Sequence, residues 1–372
     1  MEYRTLGKSG LRVSLLGLGC NNFGRRIDYA ASQPVVHRAL DLGITLFDTA
    51  DVYRSAIGGS EEFLSRALGP RRKDVVLATK VGMPMDDGGR GASRQIIMAG
   101  VEASLRRLNT DWIDLYQQHQ PDPLTPIEET LRAFDDLIQQ GKVRAIGCSN
   151  FKAWQVVDAR WTSRSLGLAP FVSCQDEYSL LTRRADGELV PMMQVHGMGL
   201  LPYYPLASGA LTGKYRRNVA MPEGARLTVH GARYGDRFLN DTAWPVLERL
   251  GAFAQARGRT LLELAFGWLA ARPCVSSIIA GATRPEQLEA NVRAVDWRPT
   301  RAEMQQIDAI AAPPDRQRPT TRLAVLRQRN GGRKVRYRRF NPLRAPATER
   351  RDRAPAREER ERSTPRHAPK HP

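Results

Sequence analysis

The chain has little cysteine and no long apolar run. Its 372 residues include four cysteines, Cys20, Cys148, Cys174 and Cys274, widely spaced along the sequence. That spacing excludes a C-x-x-C pair and a disulfide framework, and it fits a reducing compartment. No stretch approaches the ~18 consecutive apolar residues that a membrane helix requires. The opening Met1-Glu2-Tyr3-Arg4 lacks a signal-peptide pattern, so the expectation is a cytoplasmic protein with no membrane association. No group of residues has metal-ligand spacing, and no metal is expected. Acidic residues are outnumbered, 39 against 57 Lys and Arg, for a formal net charge of +18. The imbalance is local. Residues 314–372 hold 19 of the basic and 6 of the acidic residues, leaving the first 313 at about +5.

What is present is 41% apolar residues, enough for a sizeable core. Short apolar runs alternate with helical patterns. Strands are expected at Ser14–Leu18, Thr45–Phe47, Val75–Ala78, Ile113–Gln117, Val143–Ile146, Phe171–Cys174, Gly199–Tyr203 and Ser276–Ile279. Helices are expected at Pro34–Leu42, Ser60–Leu68, Ser93–Leu108, Pro126–Gln140, Lys152–Thr162, Gly187–His196, Thr260–Ala270 and Pro285–Ala294. Eight strands alternating with helices imply parallel pairing through right-handed crossovers. A Rossmann sheet should offer G-x-G-x-x-G, but Gly17-Leu18-Gly19-Cys20-Asn21-Asn22 supplies only the first two glycines. The sequence therefore reads as an α/β protein, a (β/α)8 TIM barrel over residues 1–313. Tyr3–Leu6 and Leu11–Val13 form a short N-terminal hairpin capping its bottom, and 207–240 a long loop after the seventh strand. Residues 314–372, with eight prolines and an Arg-rich composition, read as a disordered basic tail. Its Arg333–Phe340 stretch mixes charge with aromatics, so nucleic acid or another polyanion is a partner only through this tail.

In such a barrel the residues just past the strand ends converge on one mouth. Those positions hold Asp48 and Tyr53 after the second strand, Lys80 after the third and His119 after the fourth. A phenol with an ordinary pKa of about 10 is a poor acid at neutral pH. A nearby ammonium lowers that value, a carboxylate holds the ammonium, and an imidazole can donate to a substrate oxygen gaining charge. The set polarises a carbonyl and protonates its oxygen, so a hydride must come from a cofactor.

Phe47-Asp48-Thr49-Ala50-Asp51-Val52-Tyr53 with Gly59-Ser60-Glu61 closely resembles the N-terminal signature of the aldo-keto reductases. Ala78-Thr79-Lys80, the block Asp114–Asp122 around His119, and Gly141–Phe151 are similar to its next blocks, in order. The resemblance covers roughly residues 3–312. It implies NADPH-dependent reduction of aldehydes and ketones, with Tyr53 as proton donor, Asp48 and Lys80 tuning it, and His119 orienting the carbonyl. It also implies a cofactor site. Ser149, Asn150 and Gln175 would bind the nicotinamide carboxamide, and Tyr203 would stack on the ring. Leu206, Ser208, Lys214 and Arg226 would contact pyrophosphate and adenosine. Gly281, Thr283, Arg284, Gln287 and Asn291 would form the end that favours NADPH over NADH, and Cys20, Asn21 and Asp48 complete the set. Tyr204, Ala290 and Gln287 depart from common residues of the family.

Other residues carry plainer expectations. The cysteines read as buried, Glu61-Glu62 as acids of a first helical turn, and Trp154 with Trp161 as packing. Asn21, Asn22, Phe23, Met83 and Met85 are candidates for the substrate wall. A nucleotide-sensing binding protein of the same fold is the alternative to an enzyme, and oligomeric state is left open.

Overall fold

A computed structural model describes residues 1–312 apart from 56–57, 85–89 and 230. The readings of 314–372 as a disordered tail and of Met85 as pocket wall lie outside the described residues.

Eight parallel strands make one sheet: β1 Leu16–Gly19, β2 Leu46–Asp48, β3 Val76–Val81, β4 Ile113–Gln118, β5 Val143–Ser149, β6 Ser173–Glu177, β7 Gly199–Tyr203 and β8 Ile278–Gly281. Each pairs with the next through β7, and β8 pairs with β1. The ring closes where Leu200 N donates to Cys274 O at 2.7 Å and Ser276 N to Leu200 O at 2.9 Å. Helices alternate with the strands, so the fold is the expected (β/α)8 barrel.

Strand number and order agree with the sequence reading, but β3, β5 and β6 run three residues further than expected. Their extra residues, Thr79-Lys80-Val81, Gly147-Cys148-Ser149 and Gln175-Asp176-Glu177, begin with or consist of small or polar side chains, which hides a strand from an apolar-run criterion. Four helices escaped that reading, two of them, Arg226–Val229 and Gly231–Phe238, inside the expected long loop. Ala243–Gln255 contains Pro245 and Gly251, both breaker signals, yet Pro245 falls in the first turn, where a missing N–H costs nothing. Arg301–Ile310 starts at a capping box, Thr300 with Glu303. The first helix begins at Tyr29 rather than Pro34, because the Asp28 side chain accepts from Ala31 N at 2.9 Å and caps it.

The lower end of the barrel is filled by carbon. Leu46, Ala78, Leu115, Ala145, Leu201 and Ile279 point inward from six strands, and Leu6 and Val13 of the hairpin pack beneath them. The hairpin pairs Tyr3–Thr5 with Arg12–Ser14 antiparallel. Full burial of each leucine, isoleucine or valine among them is worth roughly 1.5–3 kcal/mol. Gly7, at φ +53°, lets the turn approach the barrel: a Cβ there would lie 2.3 Å from Val172 O. Arg4 fixes the hairpin by donating to Val275 O and Ala270 O, both at 2.7 Å. Among the described residues no helix is long and apolar enough to cross a membrane.

Candidate active site

Asp48 ends β2, Lys80 lies near the end of β3, and His119 follows β4. Lys80 is 0% exposed; its Nζ lies 2.7 Å from Asp48 Oδ2 and 2.8 Å from Thr49 O. The other carboxylate oxygen, Oδ1, accepts from Gln175 Nε2 at 2.8 Å and Gln117 Nε2 at 3.2 Å. A buried ion pair survives only when its remaining hydrogen-bonding capacity is met, which the two glutamines and Thr49 do here. Burial works against the Lys80 ammonium, but Asp48 and Tyr53 outweigh it and hold the pKa above its ordinary value.

Tyr53 stands edge-on to His119, ring centroids 5.8 Å apart, and its own centroid lies 5.3 Å from Lys80 Nζ. Here the structure corrects an expectation. Lys80 does pull the phenol's pKa down, but burial is the larger influence and the phenol is held above its ordinary value. Tyr53 is thus kept in its acid form. Burial and then the charge of Lys80 push His119 down to about 3, so its imidazole is neutral near pH 7. Its Nδ1 has no hydrogen-bond partner among the described residues.

From these groups a cavity of about 470 Å³ opens at the C-terminal ends of the strands, within the size range of small-molecule sites. Its wall includes the expected Asn21, Asp48, Ser149, Asn150, Gln175, Tyr203, Leu206, Ser208, Lys214, Arg226, Gly281, Thr283, Gln287 and Asn291. Cys20 and Arg284 are not in it. Cys20 turns inward, its Sγ 3.6 Å from Leu18 O, and Arg284 is exposed at the N-cap of helix Pro285–Ala294. Asn150 joins three elements: its Nδ2 donates to His119 O at 2.9 Å and its Oδ1 accepts from Tyr203 OH at 2.7 Å. Tyr204, Ala207 and Ser208 all adopt left-handed backbone, at φ +49°, +46° and +57°. Strain of this kind, roughly 1–3 kcal/mol each, persists where surrounding structure imposes it, and it gathers at functional sites.

The far part of the cavity is cationic. Burial and then Arg226 lower the Arg26 pKa, and burial with Arg26, Arg226 and Arg284 lowers that of Lys214. Arg226 donates to Asn22 Oδ1 at 2.8 Å, and no carboxylate among the described residues pairs with Arg26, Lys214 or Arg226. The buried Ser208 Oγ on the same wall also lacks a partner. Unpaired cations beside an orphaned hydroxyl fit the phosphates of a dinucleotide. Among the described residues no group of three or more His, Cys, Asp or Glu could hold a metal.

Sequence reasoning missed Gln117, although counting by twos from the inward-facing Leu115 reaches it and then His119. It also missed Arg25 and Arg26. Of the substrate-wall candidates, Asn21 and Asn22 line the cavity, whereas Phe23 and Met83 do not. Trp154 and Trp161 are 61% and 59% exposed, not packed. Glu62 does serve its helix start, accepting from Gly59 N at 2.9 Å. Glu61 does something else. It is buried, 2.6 Å from Arg107 Nε and 2.7 Å from Thr79 Oγ1. Burial, followed by Glu61, pushes the neighbouring Asp51 up to about 7.

A family model described as "Aldo/keto reductase family" matches residues 15–312. The chain is 39% identical over 304 residues to an Arabidopsis thaliana protein named probable voltage-gated potassium channel subunit beta, covering 80% of this chain and 92% of that relative. It is 34% identical over 312 residues to an L-glyceraldehyde 3-phosphate reductase of Escherichia coli O157:H7, covering 80% and 88%. An uncharacterized oxidoreductase, YrpG, of Bacillus subtilis (strain 168) is 36% identical over 307 residues, with coverages of 80% and 91%.

Proposed function

The chain belongs to the aldo/keto reductase family and is an NAD(P)H-dependent oxidoreductase, and from that premise we propose that it reduces aldehydes and ketones with NADPH, Tyr53 supplying the proton. The observation that carries this reading is the Asp48, Tyr53, Lys80 and His119 group opening onto a cavity whose far part is cationic. Bound in that cavity, the dinucleotide supplies the hydride. Ser149, Asn150 and Gln175 would hold its carboxamide and Tyr203 its ring. Arg26, Ser208, Lys214 and Arg226 would hold its phosphates, and Thr283, Gln287 and Asn291 its adenosine end. Three cations, with Arg284 near enough to repel Lys214, exceed the two charges of a pyrophosphate, which favours NADPH over NADH.

His119, neutral, donates a hydrogen bond to the carbonyl oxygen and fixes its direction. As negative charge grows on that oxygen, Tyr53 gives up its phenolic proton, and the Lys80 ammonium stabilises the phenolate that remains. Asp48 keeps the ammonium in place. Burial in this scheme helps rather than hinders, because it keeps the acid loaded until the oxygen becomes basic enough to take the proton.

The test compares NADPH consumption by the wild type and Tyr53→Phe with a reactive aromatic aldehyde, alongside NADPH binding by fluorescence. Turnover lost by about 10²- to 10⁴-fold with binding retained is the expected result. The 39% identity to a protein named as a channel subunit favours one second reading, a nucleotide-binding partner subunit. Tight NADPH binding with no turnover in the wild type would select it. Residues 314–372 lie beyond the family match and have no part in the proposed chemistry.

A further inference from the structure

We infer that the carbonyl compound reduced at this site carries a carboxylate or phosphate, and that Arg25 binds it. The inference rests on the reductase reading above and names its substrate class.

Arg25 and Arg26 are adjacent, yet they face different ends of the cavity. The turn that carries them is fixed: Asn22 O accepts from the backbone N–H of Arg25 at 3.2 Å, Arg26 at 2.8 Å and Ile27 at 3.2 Å. Gly24 takes a φ of +69°, and its carbonyl accepts from the Ser55 hydroxyl in the segment after Tyr53. From this turn Arg26 reaches the cluster with Arg226 and Tyr215. Arg25 instead lines the wall near the catalytic phenol, close enough for its charge to act on Tyr53.

The charge inventory of the wall makes Arg25 the cation left over. Arg26, Lys214 and Arg226 gather where a dinucleotide's phosphates would be held. Among the described residues Asp48 is the one acidic side chain in the wall, and Lys80, Gln117 and Gln175 engage it. No hydrogen bond or ion pair from the Arg25 side chain to a described residue is present. A guanidinium at the mouth, beside the proton donor and without a carboxylate of its own, suits an anion on the same molecule as the carbonyl. Arg25 is exposed at the mouth, so with a neutral substrate water alone meets its charge.

The experiment measures kcat/KM with NADPH for 4-formylbenzoate and for its uncharged methyl ester. Glycolaldehyde phosphate against glycolaldehyde separates phosphate from carboxylate preference. The wild type is expected to favour the anion in at least one pair by about 10- to 100-fold, mainly through KM, the size of a charge-assisted contact. Arg25→Met should bring that ratio close to one, Arg25→Lys should keep part of it, and added salt should compress it. Calorimetric titration of the holoprotein with 4-(hydroxymethyl)benzoate gives the same order without turnover. Arg26→Met should weaken NADPH binding and leave the ratio in place. A wild-type ratio near one in both pairs, or a ratio that Arg25→Met does not change, overturns the inference while the reductase reading stands. Failure to reduce any of the four compounds brings down both.

Discussion

At its lower end the barrel is closed by Leu6, Val13 and the inward side chains of six strands, all apolar and all buried. Toward its upper end strands β2 to β6 carry Asp48, Lys80, Gln117, Ser149 and Gln175, equally buried but held by specific hydrogen bonds. The lower end gains stability from any well-packed carbon. The upper end contains a buried ion pair, a neutral imidazole with an orphaned nitrogen and three residues of strained backbone. Those features cost free energy, and the barrel can carry them because the lower end and the flanking helices stabilise the ring without them.

The sharpest way to break this comparison is to alter the upper end alone. Lys80→Met leaves Asp48 buried without its cation, so turnover should fall at least about 10³-fold and stability by roughly 3–5 kcal/mol. Steady-state kinetics and urea unfolding measure the two losses. Next in size is Leu6→Ala at the lower end, expected to cost roughly 2–5 kcal/mol in stability while kcat stays within about twofold below the melting range. A kcat that falls with stability would show that the two ends are not separable.

A pH series sharpens the same contrast within the upper end. His119 is held neutral down to about 3, whereas the unfolded chain takes up its proton near 6.5. Its contribution is therefore complete above about pH 6.5 and is lost as pH falls toward 3. Asp51, pushed up to about 7, has the opposite sign: it is neutral in the folded chain when an unfolded carboxyl would ionise, so stability declines as pH rises from about 4 to 7. The two trends oppose each other between about pH 4 and 6.5 in the wild type. Unfolding midpoints of His119→Gln should show only the decline, and those of Asp51→Asn only the rise. The smallest effect is expected at the outer surface. Trp161→Ser, at a mostly exposed position, should change stability by no more than about 0.5 kcal/mol.

Much of the fold was legible because strand and helix periods are local properties, and the eight alternating units left few topologies. That Asp48, Tyr53, Lys80 and His119 would meet was legible for a different reason: a barrel brings strand ends together whatever their separation in sequence. Gln117 was hidden because a glutamine inside a strand reads as a surface residue until its neighbours' facing is known. The purpose of Glu61 was hidden by position, since an acid at a helix start already has an explanation. Arg25 and Arg26 look alike in sequence, and only the turn built on Asn22 separates their directions. Asp51 could not be read at all, because its altered acidity depends first on burial and then on Glu61, which arrives from the next helix.

The closure between β7, the segment before β8 and β1 has a consequence for synthesis on the ribosome. Asn22 and Ala282 are in contact across 260 positions of sequence. At about 5–20 residues per second, roughly ten to fifty seconds separate their appearance. Through that interval β1 waits with one edge unpaired, and once β7 emerges it waits as well. Tyr53, Lys80 and His119 are already made, yet the ring that encloses them cannot shut until the last strand is translated. The nascent barrel is most open to aggregation or to a chaperone just before it is complete.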